Sequence, residues 1–390
     1  MTKIDIETLE ARAVPEAKTL HVAMIGTRGV PAAYGGFETA VEEVGRRLVE
    51  RGHRVTVYCR NADTSIKTHL GMELVHLPAV KRRSLETLSH TGLSVLHAMK
   101  QRPDAAILFN AGNAPFIGWL KAAGIPSAVH MDGLEWKRAK WAGLGAKYYK
   151  RAERVAARSG LALIADAQGI ADYLKAEYGR ESHLIAYGAP IIDPGSDRLG
   201  ELDLTQGQYH LVVARMEPEN HVDVIVEGYA GSGSELPLVV VGTAPYGDEY
   251  MARVREAAGD SDTRFLGGVW DQDLLNQLYA NCRSYLHGHS VGGTNPSLLR
   301  AMGCAAPVTA FDVDFNTEVT AGHGRFFSSV EDVSIAIKSD DLDADASRSR
   351  GRDAQSHAAN RYRWDDVADG YEKLLYRTAT ERAWGAPGSA

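Results

Sequence analysis

The stretch Leu20–Gly52, LHVAMIGTRGVPAAYGGFETAVEEVGRRLVERG, contains a strand, a glycine-rich loop and a helix in that order. LHVAMIG, which ends at Gly26, has the continuous apolar character of a short buried strand. After the glycines, apolar residues recur at the spacing of one helical face, and Gly52 is a helix stop. These apolar residues are Phe37, Val41, Val44 and Leu48. A strand joined to a helix by a short loop is the building unit of a parallel α/β sheet.

The same unit recurs along the chain. In the first half, the sequence predicts further strands at RVTVYCR after Gly52, Ala105–Asn110, Pro126–Gly133 and Leu161–Ala167. After Tyr187–Gln208, which is rich in Gly, Pro and Asp, a second series follows at Tyr209–Arg215, Leu236–Gly242, Thr263–Val269, Cys282–Gly288 and Ala306–Asp312. Strands that alternate with helices indicate parallel sheets. The predicted fold class is α/β, with two Rossmann-like doubly wound domains that face a cleft.

These segments give the expected domain bounds. We expect an N-terminal tail over 1–18, a first domain over 19–190, a linker over 191–208 and a second domain over 209–362. A last helix over 363–390 should pack back on the first domain. The length of 390 residues is ordinary for a chain of two or three domains.

The composition is that of a soluble globular protein, with 44% hydrophobic and 24% charged residues. The formal net charge of -7 argues against general nucleic-acid binding. The three cysteines have neither zinc-site nor disulfide spacing. The start of the sequence is polar and acidic, unlike a secretory signal, and no apolar run is long enough to span a bilayer. We therefore expect a cytoplasmic protein.

Each predicted domain has one glycine-rich helix start. Gly35 and Gly36 precede the first helix, and SVGGTNPSLLRAMG, Ser290–Gly303, places Asn295 before Pro296. Asn before a proline is typical of a helix start, where the first amides have no partner inside the helix. Since ligands of parallel α/β sheets bind beyond the carboxyl ends of the strands, both starts should face the cleft, where their amides suit a diphosphate. Either pair of glycines alone could equally be a tight turn.

An NAD-type Rossmann enzyme is the alternative within this fold class. MIGTRGVPAAYGG lacks the G-x-G-x-x-G spacing, and no acidic residue ends RVTVYCRN to hold a ribose. The sequence therefore favours another diphosphate-containing ligand.

Four motifs carry a resemblance to a known family. They are IGTRGVPAAYGGFET, HMDGLEWKRAKW (His130–Trp141), VARMEPEN (Val213–Asn220) and HGHSVGGTNPSLLRAMG (His287–Gly303). With them the sequence resembles the retaining glycosyltransferases of the GT-B fold, family four, and the bacterial rhamnosyltransferase-like branch marked by the first motif. The resemblance covers the chain after the tail. It implies a hexosyltransferase that uses a nucleotide-diphosphate sugar, with polysaccharide, glycolipid and small-molecule acceptors all open.

The resemblance assigns several residues to the donor's diphosphate. Gly35 and Gly36 would lie against it with their backbone. Arg215, at the end of the first strand of the second domain, would bind it through the fixed fork of its guanidinium and stabilise its departure. Many relatives have a lysine five residues later, where this chain has Asn220.

The second motif supplies two catalytic positions on the same basis. His130 would lie near the reacting sugar and hydrogen-bond one of its hydroxyls. Asp132 is the best carboxylate for orienting the acceptor hydroxyl or taking its proton. A buried structural histidine and an Asx turn are the respective alternatives.

The loop before the last motif's helix departs from the wider family, which carries two glutamates eight residues apart there. These places are Gly292 and Arg300 in this chain. The sugar would then be held by a set of loop residues: His289, Gly292, Gly293, Thr294 and Asn295. An arginine accepts no hydrogen bond from the two hydroxyls of a ribose. We therefore expect a deoxyribose donor, with dTDP-rhamnose as the best candidate, and Arg300 either near the diphosphate or solvated.

The remaining expectations concern cofactors and partners. The resemblance implies no metal, and the triplet DVD at Asp312–Asp314 is interpreted as a loop. Lys137–Arg158 carries eight Lys or Arg and one Glu. It either contacts an anionic membrane or a lipid diphosphate, or is a solvated helix face with core aromatics. The expected partners are thus a nucleotide-sugar donor, a glycan, glycolipid or small-molecule acceptor and, through 137–158, the inner face of a membrane. A non-catalytic nucleotide-sugar binding protein is the rival function, since two glutamates and a lysine are replaced.

Overall fold

The structure is a computed structural model that describes residues 18–32, 35–60, 64–80, 82, 85–131, 133–138, 141, 143–243 and 248–384. Asp132 lies outside the described residues. Within these ranges the chain forms two α/β domains built on parallel sheets, which confirms the predicted fold class.

The first domain is built on an eight-stranded sheet. Its strands are β1 (His21–Ile25), β2 (Arg54–Cys59), β3 (Thr68–His69), β4 (Met72–His76), β5 (Ala105–Phe109), β6 (Ser127–His130), β7 (Ala162–Ala165) and β8 (His183–Leu184). Their spatial order is β3-β4-β2-β1-β5-β6-β7-β8, and in the described residues the strands pair in parallel except β3 with β4. The helices are α1 (Gly36–Glu50), α2 (Glu86–Gln101), α3 (Ile117–Ala122), α4 (Leu144–Arg158) and α5 (Gln168–Tyr178). All five side chains of β5 are buried, as expected for a parallel strand covered by helices on both faces.

The second domain is built on a six-stranded parallel sheet. Its strands are β9 (His210–Val213), β10 (Leu238–Val241), β11 (Thr263–Gly267), β12 (Ser284–His287), β13 (Val308–Phe311) and β14 (Arg325–Phe327), in the order β11-β10-β9-β12-β13-β14. The helices are α6 (Val222–Ala230), α7 (Asp248–Ala258), α8 (Gln272–Ala280), α9 (Pro296–Gly303), α10 (Asp314–Thr320), α11 (Val330–Leu342) and α12 (Ala344–Arg361).

The chain crosses between the domains twice. The first crossing is packed: the amide of Ala189 donates to Tyr362 at 2.7 Å, the amide of Ile192 donates to Gly303 at 3.1 Å, and Leu199 is buried. The second crossing leads into α13 (Trp364–Trp384), which lies on α1 of the first domain.

Ion pairs and a buried ring fix α13 in place. Arg47 pairs with Asp365, and Arg51 pairs with Asp369 and Glu372, each at 2.7 Å. Tyr371 is buried on the same helix. The last helix therefore belongs spatially to the first domain.

Candidate active site

The residues singled out in the sequence follow strands whose carboxyl ends point to the domain boundary. His130 ends β6, Arg215 follows β9, and the loop from Gly288 to Asn295 follows β12. In parallel α/β sheets this edge is where ligands bind. The two sheets thus bring most of the predicted site residues to one region.

The start of α1 is shaped by glycine and held by acidic side chains. Gly35 precedes the helix with φ of +110°, a conformation that favours glycine, and Gly36 is the first helical residue. Glu38 accepts the amide of Arg28 at 2.9 Å, and Glu42 accepts the amide of Ala32 at 2.9 Å. The glycine-rich loop is therefore tied back onto the helix that it precedes.

The start of α9 has the cap that the sequence predicts. The Asn295 side-chain oxygen accepts the amide of Ser297 at 2.9 Å and its hydroxyl at 2.7 Å, and Pro296 is the first helical residue. The predicted helix start is confirmed. Because this oxygen caps the helix, any contribution of Asn295 to donor binding comes from its other polar atoms.

The two helix starts face each other in contact. A Cβ built on Gly36 would lie 3.1 Å from Cγ of Pro296, and one on Gly133 would lie 2.5 Å from Cα of Gly292. A Cβ on Gly293 would overlap the carboxylate of Asp166. No gap separates the two starts here, so the expected cleft is closed at this point.

Thr294 joins the two domains directly. Its side chain is buried, and its hydroxyl donates to the backbone carbonyl of Asp166 at the end of β7. Sequence reasoning did not single out Asp166, although its place directly after the strand LALIA was a usable signal. The donor-side loop of the second domain thus rests on the first domain through Asp166.

His130 lies in an aromatic enclosure. It is 1% exposed, and the rings of Phe37, Phe109, Tyr187 and Tyr371 have centroids 5.0 to 6.5 Å from its own. Burial lowers the pKa of His130 to about 3, so the ring is neutral. Its Nδ1 is buried without a hydrogen-bond partner among the described residues. The enclosure leaves a buried polar atom beside the domain boundary.

Arg215 and Asn220 lie in one turn, where Arg215 is partly exposed and Asn220 is buried. Arg215 pairs with Glu217 at 3.2 Å. The side-chain amide of Asn220 donates to the carbonyl of Arg215 at 2.7 Å. Asn220 therefore positions the turn that presents Arg215, and its predicted contact with the donor stays a prediction.

A pair of histidines lies beside Arg215 in the second domain. His287 and His289 stack with centroids 4.4 Å apart, and Nε2 of His287 and Nδ1 of His289 are buried without a partner among the described residues. Burial lowers the pKa of His287 to about 3, and the pKa of His289 falls well below its usual range through burial and nearby positive charges. Those charges include Arg215 and Arg138, one from each domain. His287 and Arg138 were not predicted, although two histidines two residues apart project to one side of an extended strand.

The Arg300 side chain is hydrogen-bonded within the protein and is not fully solvated. Its guanidinium donates to Oε1 of Gln272, the first residue of α8, at 2.8 Å, and Arg300 is partly buried.

Asp314, the last residue of the DVD triplet, is the first residue of α10, so the triplet ends inside a helix. Among the described residues, no group of three or more His, Cys, Asp or Glu is arranged to hold a metal ion. No described helix has the length and apolar content needed to cross a membrane.

Two facing parallel-sheet domains with helix starts and an arginine at their boundary define the GT-B architecture. Residues 35–188 match the model of the glycosyl transferase 4-like domain, and residues 207–341 match that of glycosyl transferases group 1. Together these two matches take in most of the chain, which therefore belongs to the GT-B glycosyltransferases.

Similar proteins agree with this classification. The chain is 26% identical over 189 residues to the GtfA subunit of a UDP-N-acetylglucosamine–peptide N-acetylglucosaminyltransferase from Streptococcus gordonii, covering 45% of this chain and 37% of that protein. The chain spans about a third of the length of the curated relatives it matches. Sucrose-phosphate synthase from Thermosynechococcus elongatus has the same fold, with a TM-score of 0.77 at 18% identity over 93% of this chain and 99% of that one. HepE from Anabaena, solved in complex with UDP, gives a TM-score of 0.72 at 17% identity over 92% and 100% of the two chains.

Proposed function

We propose that this protein transfers a sugar from a nucleotide-diphosphate donor to a hydroxyl group of a glycan, glycolipid or small-molecule acceptor. The observation that carries the proposal is the contact of two glycine-rich helix starts, one from each domain, with Arg215 at the end of a strand in the second domain. Helix starts place amide donors and positive dipole ends where an anion binds. Two such starts from opposite domains suit a pyrophosphate with a group attached at each end.

The donor enters when the domains part at this contact. The glycines at 36, 133, 292 and 293 let the two backbones approach closely, and opening the contact breaks the hydrogen bond from Thr294 to Asp166. On closure, Arg215 and the amides of the helix starts face the diphosphate. Their role is to stabilise the negative charge that grows on it as the glycosidic bond breaks.

His130 and Asp132 are proposed to act on the sugars. A neutral imidazole with an unpartnered Nδ1 can hydrogen-bond a sugar hydroxyl that reaches it. Asp132, two residues along the chain, is proposed to orient the acceptor hydroxyl or take its proton. The resemblance to family four supports a reaction with retention at the anomeric carbon. Proton NMR of the product tests this, because a retaining enzyme gives the anomeric configuration of the donor.

For the donor we propose dTDP-rhamnose. Arg300 occupies the place of the ribose-binding glutamate and donates to Gln272, so it accepts no bond from a ribose diol. The rival is a UDP-sugar, because UDP is bound in the HepE structure and is part of the donor named for the GtfA relative. A thermal-shift series with dTDP-, UDP- and GDP-sugars separates them, since stabilisation grows with affinity. The largest shift should come from dTDP-rhamnose, and a clear preference for a ribonucleotide sugar would overturn the proposal.

The reaction is proposed to need no metal and to take place at the cytoplasmic side of a membrane. Activity should survive EDTA, and its loss would show that Asp312–Asp314 was misinterpreted. Release of nucleoside diphosphate on adding an acceptor extract tests the transferase itself. A non-catalytic binding protein would give the thermal shift without this release.

A further inference from the structure

A cationic groove runs between α3 and α4 of the first domain. Its volume is about 1020 Å³. Six cationic side chains line it: Lys121, Lys147, Lys150, Arg151, Arg154 and Arg158. This groove is distinct from the contact between the helix starts and takes no part in the proposed reaction.

Most of this positive charge is not neutralised within the protein. Lys150 approaches Glu153 and Glu177 at 3.4 Å. The other cations of α4 in the groove have no ion pair or side-chain hydrogen bond in the part of the chain that the structure describes: Lys147, Arg151, Arg154 and Arg158. Three pairs of like charges stand four residues apart on this helix, a spacing that destabilises it. Such a face, on a protein of net charge -7, fits an anionic partner better than bulk water.

Large apolar side chains accompany the cations. Leu144, at the start of α4, is 84% exposed, Val155 in the groove is 46% exposed, and Trp119 on α3 is 44% exposed. A helix that presents lysine and arginine together with large apolar residues is typical of one that lies in a membrane interface. A soluble polyanion would need the cations alone.

The aromatic residues of the same segment have another role. The Tyr148 hydroxyl donates to the carbonyl of Gly112 at 2.6 Å, and Trp141 packs on Tyr149 with centroids 4.7 Å apart. These contacts pack the rings against the first domain. For these rings the packing agrees with the alternative of core aromatics.

We propose that the α3–α4 groove docks the protein on a bilayer that contains anionic phospholipid, with lipid phosphates between the cations and Leu144, Val155 and Trp119 at the acyl boundary. The docking proposal rests on the proposed function in one respect: docking would place the proposed active site beside acceptors that lie in the membrane. Each cation near an anionic surface strengthens binding roughly five-fold. Reversing three of them should weaken vesicle binding by well over 100-fold.

The test is flotation of the full chain with two kinds of vesicle, phosphatidylcholine alone and phosphatidylcholine with 30% phosphatidylglycerol, at low and high salt. The triple variant K147E/R151E/R154E is compared with K338E/R352E/K373E, which makes the same charge change at exposed cations elsewhere. We expect the wild type and the control variant to float only with anionic vesicles at low salt, and the groove variant not to float. Thermal shift by nucleotide sugars should be the same in all three, which separates failure of docking from failure of the proposed function.

Three outcomes would overturn the docking proposal. They are no flotation of the wild type at low salt, equal flotation with both vesicles, and flotation of the groove variant like the wild type. Retention on a soluble anionic polysaccharide without flotation would also overturn it and would assign the groove to a polyanionic glycan.

Discussion

Asn220 positions the turn that presents Arg215, because its side-chain amide donates to the Arg215 carbonyl. Relatives implied by the resemblance carry a lysine where Asn220 lies, and here that side chain holds the carbonyl of Arg215 instead. The chain's remaining positive charge at this turn is therefore Arg215, with Arg138 arriving from the other domain near His289.

We predict that R215A lowers kcat/KM by about 100-fold, because in the proposed mechanism the guanidinium stabilises the leaving diphosphate. R253A is a matched control, since Arg253 is also partly exposed and pairs with Asp223 at 3.1 Å in the same domain. Steady-state assays should show the loss in R215A alone. An R215A enzyme within two-fold of wild type would remove Arg215 from the mechanism.

Buried neutral histidines make the stability of this protein depend on pH. Burial lowers the pKa of His130 and His287 to about 3 and that of His90 to about 4, whereas in the unfolded chain each lies near 6.5. Below pH 6.5 the unfolded chain therefore binds protons that the folded chain does not. The contribution of these histidines to the free energy of unfolding is full above pH 6.5 and falls as the pH drops towards the folded pKa values.

H130F tests this on one residue, since phenylalanine fits an aromatic enclosure and does not titrate. Each such histidine contributes up to about 1.4 kcal/mol per pH unit. Urea unfolding between pH 6.5 and 5 should give a shallower slope for H130F than for wild type, by about that amount. Above pH 7 the difference between the two proteins should be constant. Parallel slopes throughout would mean that the pKa of His130 is the same in the folded and the unfolded chain.

At the scale of elements, the loops before α1 and α9 decide how closely the domains meet. Gly293 lies against the Asp166 carboxylate, so a methyl group there would hold the loop off the first domain. We predict that G293A lowers activity about 100-fold, the loss expected when reacting groups are displaced by about 1 Å.

G169A provides the control for this substitution. Gly169 lies in α5, and nothing stands within 4 Å of where its Cβ would be. The same assay should find G169A as active as wild type. Full activity of G293A would show that the contact with Asp166 is not needed for catalysis.

The elements themselves were largely predictable because buried parallel strands read as apolar runs. The ten strands predicted from such runs are present, from β1 at His21–Ile25 to β13 at Val308–Phe311, with shorter bounds. The strands that were missed are short or mixed in character, as in Thr68–His69 and Met72–His76. Such segments form strands because they pair with neighbouring strands, and their local sequence does not predict this.

The site was less predictable than the fold. The helix start at Asn295 is a local pattern and was found, but the contact of Thr294 with Asp166 joins residues 128 positions apart. The Arg300–Gln272 bond likewise depends on how α8 and α9 pack. Contacts between distant segments produce no periodic pattern in a single sequence, so they could not be predicted from it.

At the scale of the whole molecule, the central claim is that one pyrophosphate bridges the two domains. The hydroxyl of Thr294 donates to the carbonyl of Asp166 across the domain boundary, so the closed arrangement is held by this contact. Admitting a donor requires the contact between Gly36 and Pro296 to open. Closure around a bound donor would then bury backbone amides from both domains together.

Hydrogen–deuterium exchange with and without dTDP-rhamnose measures this most directly. The account predicts slower amide exchange in two segments at once, 35–40 at the start of α1 and 290–298 at the start of α9. Slower exchange in only one of these segments, or in neither while the sugar nucleotide is bound elsewhere, would contradict it.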